Sequence, residues 1–152
     1  MSFIEKMKKL TSYNCESNKV IVLNDPEGSR RIKLRLMNTR LIKHCYIKTS
    51  DLIEVGESCD FLIDKNGCKL KVLLELKGDG NKRKAVSQIN TTWSYLKYNF
   101  HGEFDAIIAI IVTDKCSTTN LFNKDYMKLQ DNCSKSGGKL YDVKSDKEFE
   151  LN

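Results

Sequence analysis

Proline is nearly absent from this chain, one residue in 152, and glycine is sparse at eight. A collagen-like or Pro/Gly-rich disordered composition is thereby excluded. No apolar run approaches the roughly eighteen residues of a membrane-spanning helix. The opening Met1-Ser2-Phe3-Ile4-Glu5-Lys6 lacks the apolar stretch of a secretory signal, so the expected location is cytoplasmic, with no membrane partner. Histidine is confined to His44 and His101, too few and too scattered for a histidine metal cluster. Six cysteines, at 15, 45, 59, 68, 116 and 133, form no Cys-x-x-Cys pair or other zinc spacing. Free thiols are the expectation for all of them in a reducing compartment.

What is present is a globular composition. A hydrophobic fraction of 40% in 152 residues suits one domain, 1–152, with a substantial core. Charge is uneven along it: residues 1–50 hold 11 Lys and Arg against 4 Asp and Glu, and residues 51–152 hold 15 against 16. In the basic third, Arg31, Lys33 and Arg35 alternate with Ile32, Leu34 and Leu36. A strand there carries a basic stripe on one face and a core stripe on the other. Such a stripe suits a phosphate backbone, which it binds by releasing counterions without reading sequence. Lys82, Arg83 and Lys84 form a second basic group at the start of an expected helix, where the helix dipole adds to the attraction for phosphate.

The densest chemistry lies between Cys59 and Gln88, CDFLIDKNGCKLKVLLELKGDGNKRKAVSQ. Asn66-Gly67 between two apolar runs is a hairpin signal, because a primed turn needs positive φ at both central positions. Phe61 to Ile63 and Leu70 to Leu76 are therefore expected as antiparallel neighbours. Glu75 and Lys77 then project from one face of the second strand, and Val72, Leu74 and Leu76 from the other. The hairpin returns Asp60 to the end that carries Glu75 and Lys77. Two acids and a lysine converge there, a set that suits Mg²⁺-assisted phosphodiester hydrolysis: carboxylates hold the hard cation, and the amine orients water and developing negative charge. Glu-x-Lys occurs once in the chain; a rival Asp-x-Lys, Asp142-Val143-Lys144, has no hairpin acid before it and no helix after it.

The remaining segments supply a context. A helix from Ala85 places Val86, Ile89, Trp93, Leu96 and Phe100 on a burying face, with Lys84 and Gln88 on another. Phe104 to Val112 is a continuous apolar run, the mark of a strand buried on both sides. Ser2 to Leu10 reads as a helix, with Phe3, Ile4, Met7 and Leu10 on one face. Lys19 to Leu23 and Arg31 to Leu36 read as strands about a turn at residues 25–28. Leu41 to Ile47 reads as a further strand, Thr49 to Ser58 as a loop, Leu121 to Cys133 as a helix, Ser136 to Gly138 as a turn, and Lys139 to Val143 as a last strand.

With Asp60, Glu75-Leu76-Lys77 and Gln88 in this order, residues 41–112 resemble the PD-(D/E)xK nuclease superfamily. The resemblance implies an α/β fold: a restriction-endonuclease-like αβββαβ core, a mixed sheet flanked by helices, here with extra N-terminal strands. It implies a metal-dependent nuclease acting on nucleic acid, DNA by preference, with catalytic residues Asp60, Glu75, Lys77 and Gln88. Asp60, Glu75 and Leu76 would hold Mg²⁺, for which Mn²⁺ can substitute, and Arg31, Lys33, Arg35, Lys82, Arg83 and Lys84 would bind nucleic acid. The superfamily often adds an acid from its first helix, for which Glu5, Glu54 and Glu57 are candidates. Cys59 stands where proline is common. Other functions stay open: a non-cutting nucleic-acid-binding module of nuclease descent, or a regulatory or interaction subunit. Cutting both strands with one site per chain calls for a homodimer.

Overall fold

The structure, a computed structural model, describes residues 1–26, 31–65, 67, 69–77, 82–114 and 124–151. Asn66, Cys68, Cys116, the residues 27 and 28 of the expected turn, and residues 121–123 of the expected last helix lie outside the described residues.

The chain opens with α1 (Phe3–Lys8), capped reciprocally by Ser2 and Glu5: each backbone N–H donates to the other's side-chain oxygen at 3.2 Å. Then come β1 (Asn14–Glu16), β2 (Val20–Asn24), β3 (Lys33–Met37), β4 (His44–Lys48), α2 (Thr49–Leu52), β5 (Phe61–Lys65), β6 (Leu70–Leu76), α3 (Lys82–Asn99), β7 (Ala106–Thr113), α4 (Lys124–Lys135), β8 (Lys139–Lys144) and β9 (Glu148–Glu150). Six strands form one mixed sheet in the order β1-β4-β5-β6-β7-β8, antiparallel up to β6 and parallel from β6 to β8. β2, β3 and β9 form a second, smaller sheet. The chain is thus an α/β protein with a mixed sheet and packed helices.

Period-two alternation decides which layer each face meets. Leu62, Leu73, Ala109 and Ile111 pack with Phe3, Met7, Val86, Ile89, Leu96 and Leu129 of the helices. Their neighbours Phe61, Ile63, Val72, Leu74 and Ile110 pack with Ile21, Leu23, Leu34 and Leu36 of the small sheet. β7 lies between both layers, which is why its run is apolar throughout. The helical layer therefore covers one face of the main sheet and the three-stranded sheet the other.

The expected hairpin has the expected register, with Phe61 opposite Leu74 and Ile63 opposite Val72. Several expectations need correction. Residues 49–58 are not all loop, because Thr49–Leu52 makes a helical turn that buries Thr49 and Leu52. Trp93 is only partly buried, and Thr92 takes the interior position on α3 because its hydroxyl has a partner there, accepting from Cys59 N at 2.9 Å. Cys15 and Cys45 are not free thiols: β1 places Cys15 opposite Cys45 of β4, and their sulfurs are bonded at 2.07 Å. Cys59 and Cys133 are free and buried.

The turn after α4 closes on glycine for two reasons. Gly137 takes φ +92°, and a Cβ on Gly138 would meet the Ile107 carbonyl oxygen at 1.8 Å. Gly137 N donates to Ser134 O and Gly138 N to Cys133 O, the paired bonds of a Schellman ending. The chain therefore enters β8 hard against β7.

Candidate active site

The parallel strands β6, β7 and β8 end at one edge of the sheet, and this edge collects the candidate residues. Asp60 immediately precedes β5, Glu75 lies near the end of β6, and Lys77 follows β6 with its N–H on the Val112 carbonyl at 2.7 Å. Glu75 shares the parity of Leu73, so it faces the helical layer and α3. Burial is deep: Glu75 is 2% exposed and Lys77 9%. These are not the solvated charges of an ordinary hairpin.

Backbone and side chains clamp the two acids together. Asp60 N donates to Glu75 Oε1 at 3.0 Å, and Leu76 N donates to Asp60 Oδ2 at 2.8 Å. The Leu76 side chain itself is buried on the opposite face. Lys77 Nζ lies 3.8 Å from Glu75 Oε2 and donates to Gln88 Oε1 at 3.4 Å. Gln88 Nε2 in turn donates to the Ser58 carbonyl at 3.2 Å, which ties α3 to the loop that delivers Asp60. Thr92, one turn further along, accepts from Cys59 N at 2.9 Å and donates to the Gln88 carbonyl at 2.8 Å.

Electrostatics follow from this crowding. Burial, and then the adjacent Asp60 charge, push Glu75 up to about 9. Burial also raises Asp60, against the opposing pull of the Leu76 N–H. The two carboxyls lie side by side away from water, so a charge on Asp60 opposes ionisation of Glu75, which holds its proton the longer of the two. Cys59, next to Asp60, is raised to about 12 by burial and is no thiolate nucleophile.

The donor set suits a hard divalent cation. Among the described residues no group of three or more His, Cys, Asp or Glu side chains converges as a metal cluster. A Mg²⁺ ion nevertheless needs only one or two carboxylates when water and phosphate oxygens complete its shell. Asp60 and Glu75 fit that requirement, and the repulsion between their charges marks the place where positive charge is wanted.

The other predicted residues divide. Arg83 and Lys84 are exposed in the first turn of α3. Lys82 is not an open phosphate contact: it is 4% exposed, with Nζ 2.6 Å from Asp142 Oδ2. Tyr126 Oη donates to the same oxygen at 3.4 Å, so the rival Asp142 is a structural acid that fastens α3 and α4 to β8. Arg31 is exposed, while Arg35 donates from Nε and Nη2 to Asp146 Oδ1 at 3.2 and 3.0 Å, with Lys33 4.0 Å from that oxygen. The basic stripe is partly neutralised from the turn before β9.

Of the candidate upstream acids, Glu5 caps its own helix and Glu54 and Glu57 are exposed in the loop after α2. Asp25 was missed. It is 7% exposed, continues the inward alternation of Ile21 and Leu23, and its charge raises Asp60. The signal was that alternation, which carries past the end of β2 onto an acid.

The chain matches no family model, no curated protein and no solved structure among those compared with it. Its class therefore rests on the geometry of this edge.

Proposed function

We propose that this chain is a metal-dependent nuclease that hydrolyses phosphodiester bonds, DNA by preference. In this reading β4, β5, β6, α3 and β7 make up a restriction-endonuclease-like core of the PD-(D/E)xK kind. The observation that carries it is buried Glu75 paired with half-buried Asp60, clamped by Asp60 N and Leu76 N, with Lys77 Nζ 3.8 Å from Glu75 and Gln88 behind it.

Asp60 and Glu75 would hold Mg²⁺, with Mn²⁺ as a substitute. When bound, the cation supplies Lewis acidity and positive charge against the phosphate oxygens. Lys77 positions the attacking water and offsets the charge that develops on phosphorus-bound oxygen as the P–O bond to the leaving strand breaks. Gln88 fixes the Lys77 ammonium by accepting from it, while its amide anchors to Ser58. Burial strengthens each of these interactions by excluding water. Arg83 and Lys84, exposed on the first turn of α3, and Arg31 would attract the backbone toward this edge. One such centre cuts one strand, so double-strand cleavage implies a homodimer.

Incubation with linear, circular, single-stranded and branched DNA and with RNA, with and without Mg²⁺ or Mn²⁺, tests the reading. Metal-dependent cleavage of any of them supports it. Salt-sensitive binding without cleavage would place the chain among non-cutting binding modules instead.

A further inference from the structure

At the far end of β5 from Asp60, a cavity of about 290 Å³ opens between the loop after β3 and the end of β9. Five strand residues separate the two ends, roughly 17 Å of extended chain. Asn38, Thr39, Arg40, His44, Lys65 and Glu150 contribute to its wall.

The loop is built, not merely draped. Asn38 Oδ1 accepts from Ile42 N at 3.0 Å, and its Nδ2 donates to Asn18 O and Ile42 O at 3.1 and 2.8 Å. Its carbonyl accepts from Leu41 N, and Leu41 is held at φ +54°. Arg40 is thus presented from a fixed turn, and the β4–β5 register sets Lys65 opposite His44.

His44 is 3% exposed, with Nδ1 2.9 Å from the Ile42 carbonyl. A carbonyl only accepts, so Nδ1 carries the proton and Nε2 is the atom left for the cavity. Among the described residues, His44 Nε2, Arg40 and Lys65 have no hydrogen-bond or ion-pair partner. Glu150 is held by Thr39, whose hydroxyl donates to Oε1 at 2.9 Å.

Two cations beside a buried imidazole nitrogen suit a phosphate: the guanidinium fork takes two of its oxygens, and Nε2 accepts from P–OH. Glu150 demands a donor next to that phosphate, such as a sugar hydroxyl. The volume admits only a small ligand. We propose that this pocket binds a phosphomonoester with a neighbouring hydroxyl, the chemistry of a mononucleotide, free or as the phosphorylated end of a strand. The proposal stands whether or not the carboxylate centre cuts.

The test follows the His44 ring in long-range ¹H–¹⁵N spectra of the full chain without divalent metal. Probes are inorganic phosphate, deoxyadenosine 5′-monophosphate, and one oligonucleotide with a 5′-phosphate or a 5′-hydroxyl. A saturable shift of Nε2 with the nucleotide, at least about tenfold weaker with inorganic phosphate, is the expected result. The R40Q/K65Q variant should weaken it at least about tenfold while the unliganded His44 signal stays in place, which shows the fold intact. Tighter binding of the phosphorylated oligonucleotide than of the nucleotide assigns a strand end, and the reverse order a free nucleotide; both support the site. No saturable shift up to about 10 mM, an equal response in R40Q/K65Q, or an equal response to the 5′-hydroxyl strand overturns it.

Discussion

Magnesium binding at the Asp60–Glu75 pair should expel a proton, and the amount is set by the geometry. Glu75 titrates at about 9 in the metal-free protein because it is buried against Asp60. At pH 7 it therefore keeps its proton in most molecules. A cation that takes both carboxylates must displace the proton on Glu75. Apparent Mg²⁺ affinity should therefore rise about tenfold per pH unit between 7 and 9 and level off above. Calorimetric titration in buffers of different ionisation enthalpy counts the protons: close to one released near pH 7, close to none above about pH 10. Without metal, the same carboxyl makes stability depend on pH. A carboxyl whose folded pKa is raised contributes stability that is whole below its unfolded value and is lost as pH rises toward 9. The parent's Tm should thus fall relative to Glu75→Gln across that interval, and Glu75→Gln should lose the metal response. Proton-free, pH-independent Mg²⁺ binding would refute the raised Glu75.

Three further outcomes follow from named residues. Asp64→Ala removes the carboxylate that lies 2.9 Å from the buried Lys71 ammonium and should cost about 3–5 kcal/mol in urea unfolding, whereas D64L/K71M should be near neutral. Asp142→Ala removes the carboxylate paired with buried Lys82 at 2.6 Å and should lose about 1–3 kcal/mol in the same assay, while the exposed Lys144→Ala stays within about 0.5 kcal/mol; equal stabilities would deny Asp142 its fastening role. Charge reversal at Arg31, Lys33 and Arg35 should weaken nucleic-acid binding uniformly and lower the slope of log affinity on log salt by about one for each phosphate no longer neutralised, read by fluorescence anisotropy. An unchanged slope would make the stripe a solvated face that serves only to pair with Asp146.

The hairpin that assembles the site was legible because its determinants are local. Alternation from Leu70 to Leu76 and the turn at Gly67 set both the register and the face of Glu75. β7 was equally plain, since a strand covered on both faces has no polar side to present. β1 and β9 were not, being only three residues each, too short for a pattern to stand out, and held by pairing to β4 and β3. Long-range partners were also invisible. Asp142 is 60 residues from Lys82, and no local pattern distinguishes a lysine bound for an ion pair from one that meets solvent. The Cys15–Cys45 bond spans 30 residues and depends on the β1–β4 register. Asp25 was concealed by its neighbour Pro26, which marks a turn, although its parity pointed inward.

The most direct test of the account compares the parent chain and Glu75→Gln on supercoiled and branched DNA with Mg²⁺, after thermal melts show both folded. The account predicts metal-dependent cleavage by the parent and a loss of at least about two to three orders of magnitude in the variant, the effect of removing a principal electrostatic group. Cleavage by Glu75→Gln at the parent's rate would move the chemistry away from this edge of the sheet.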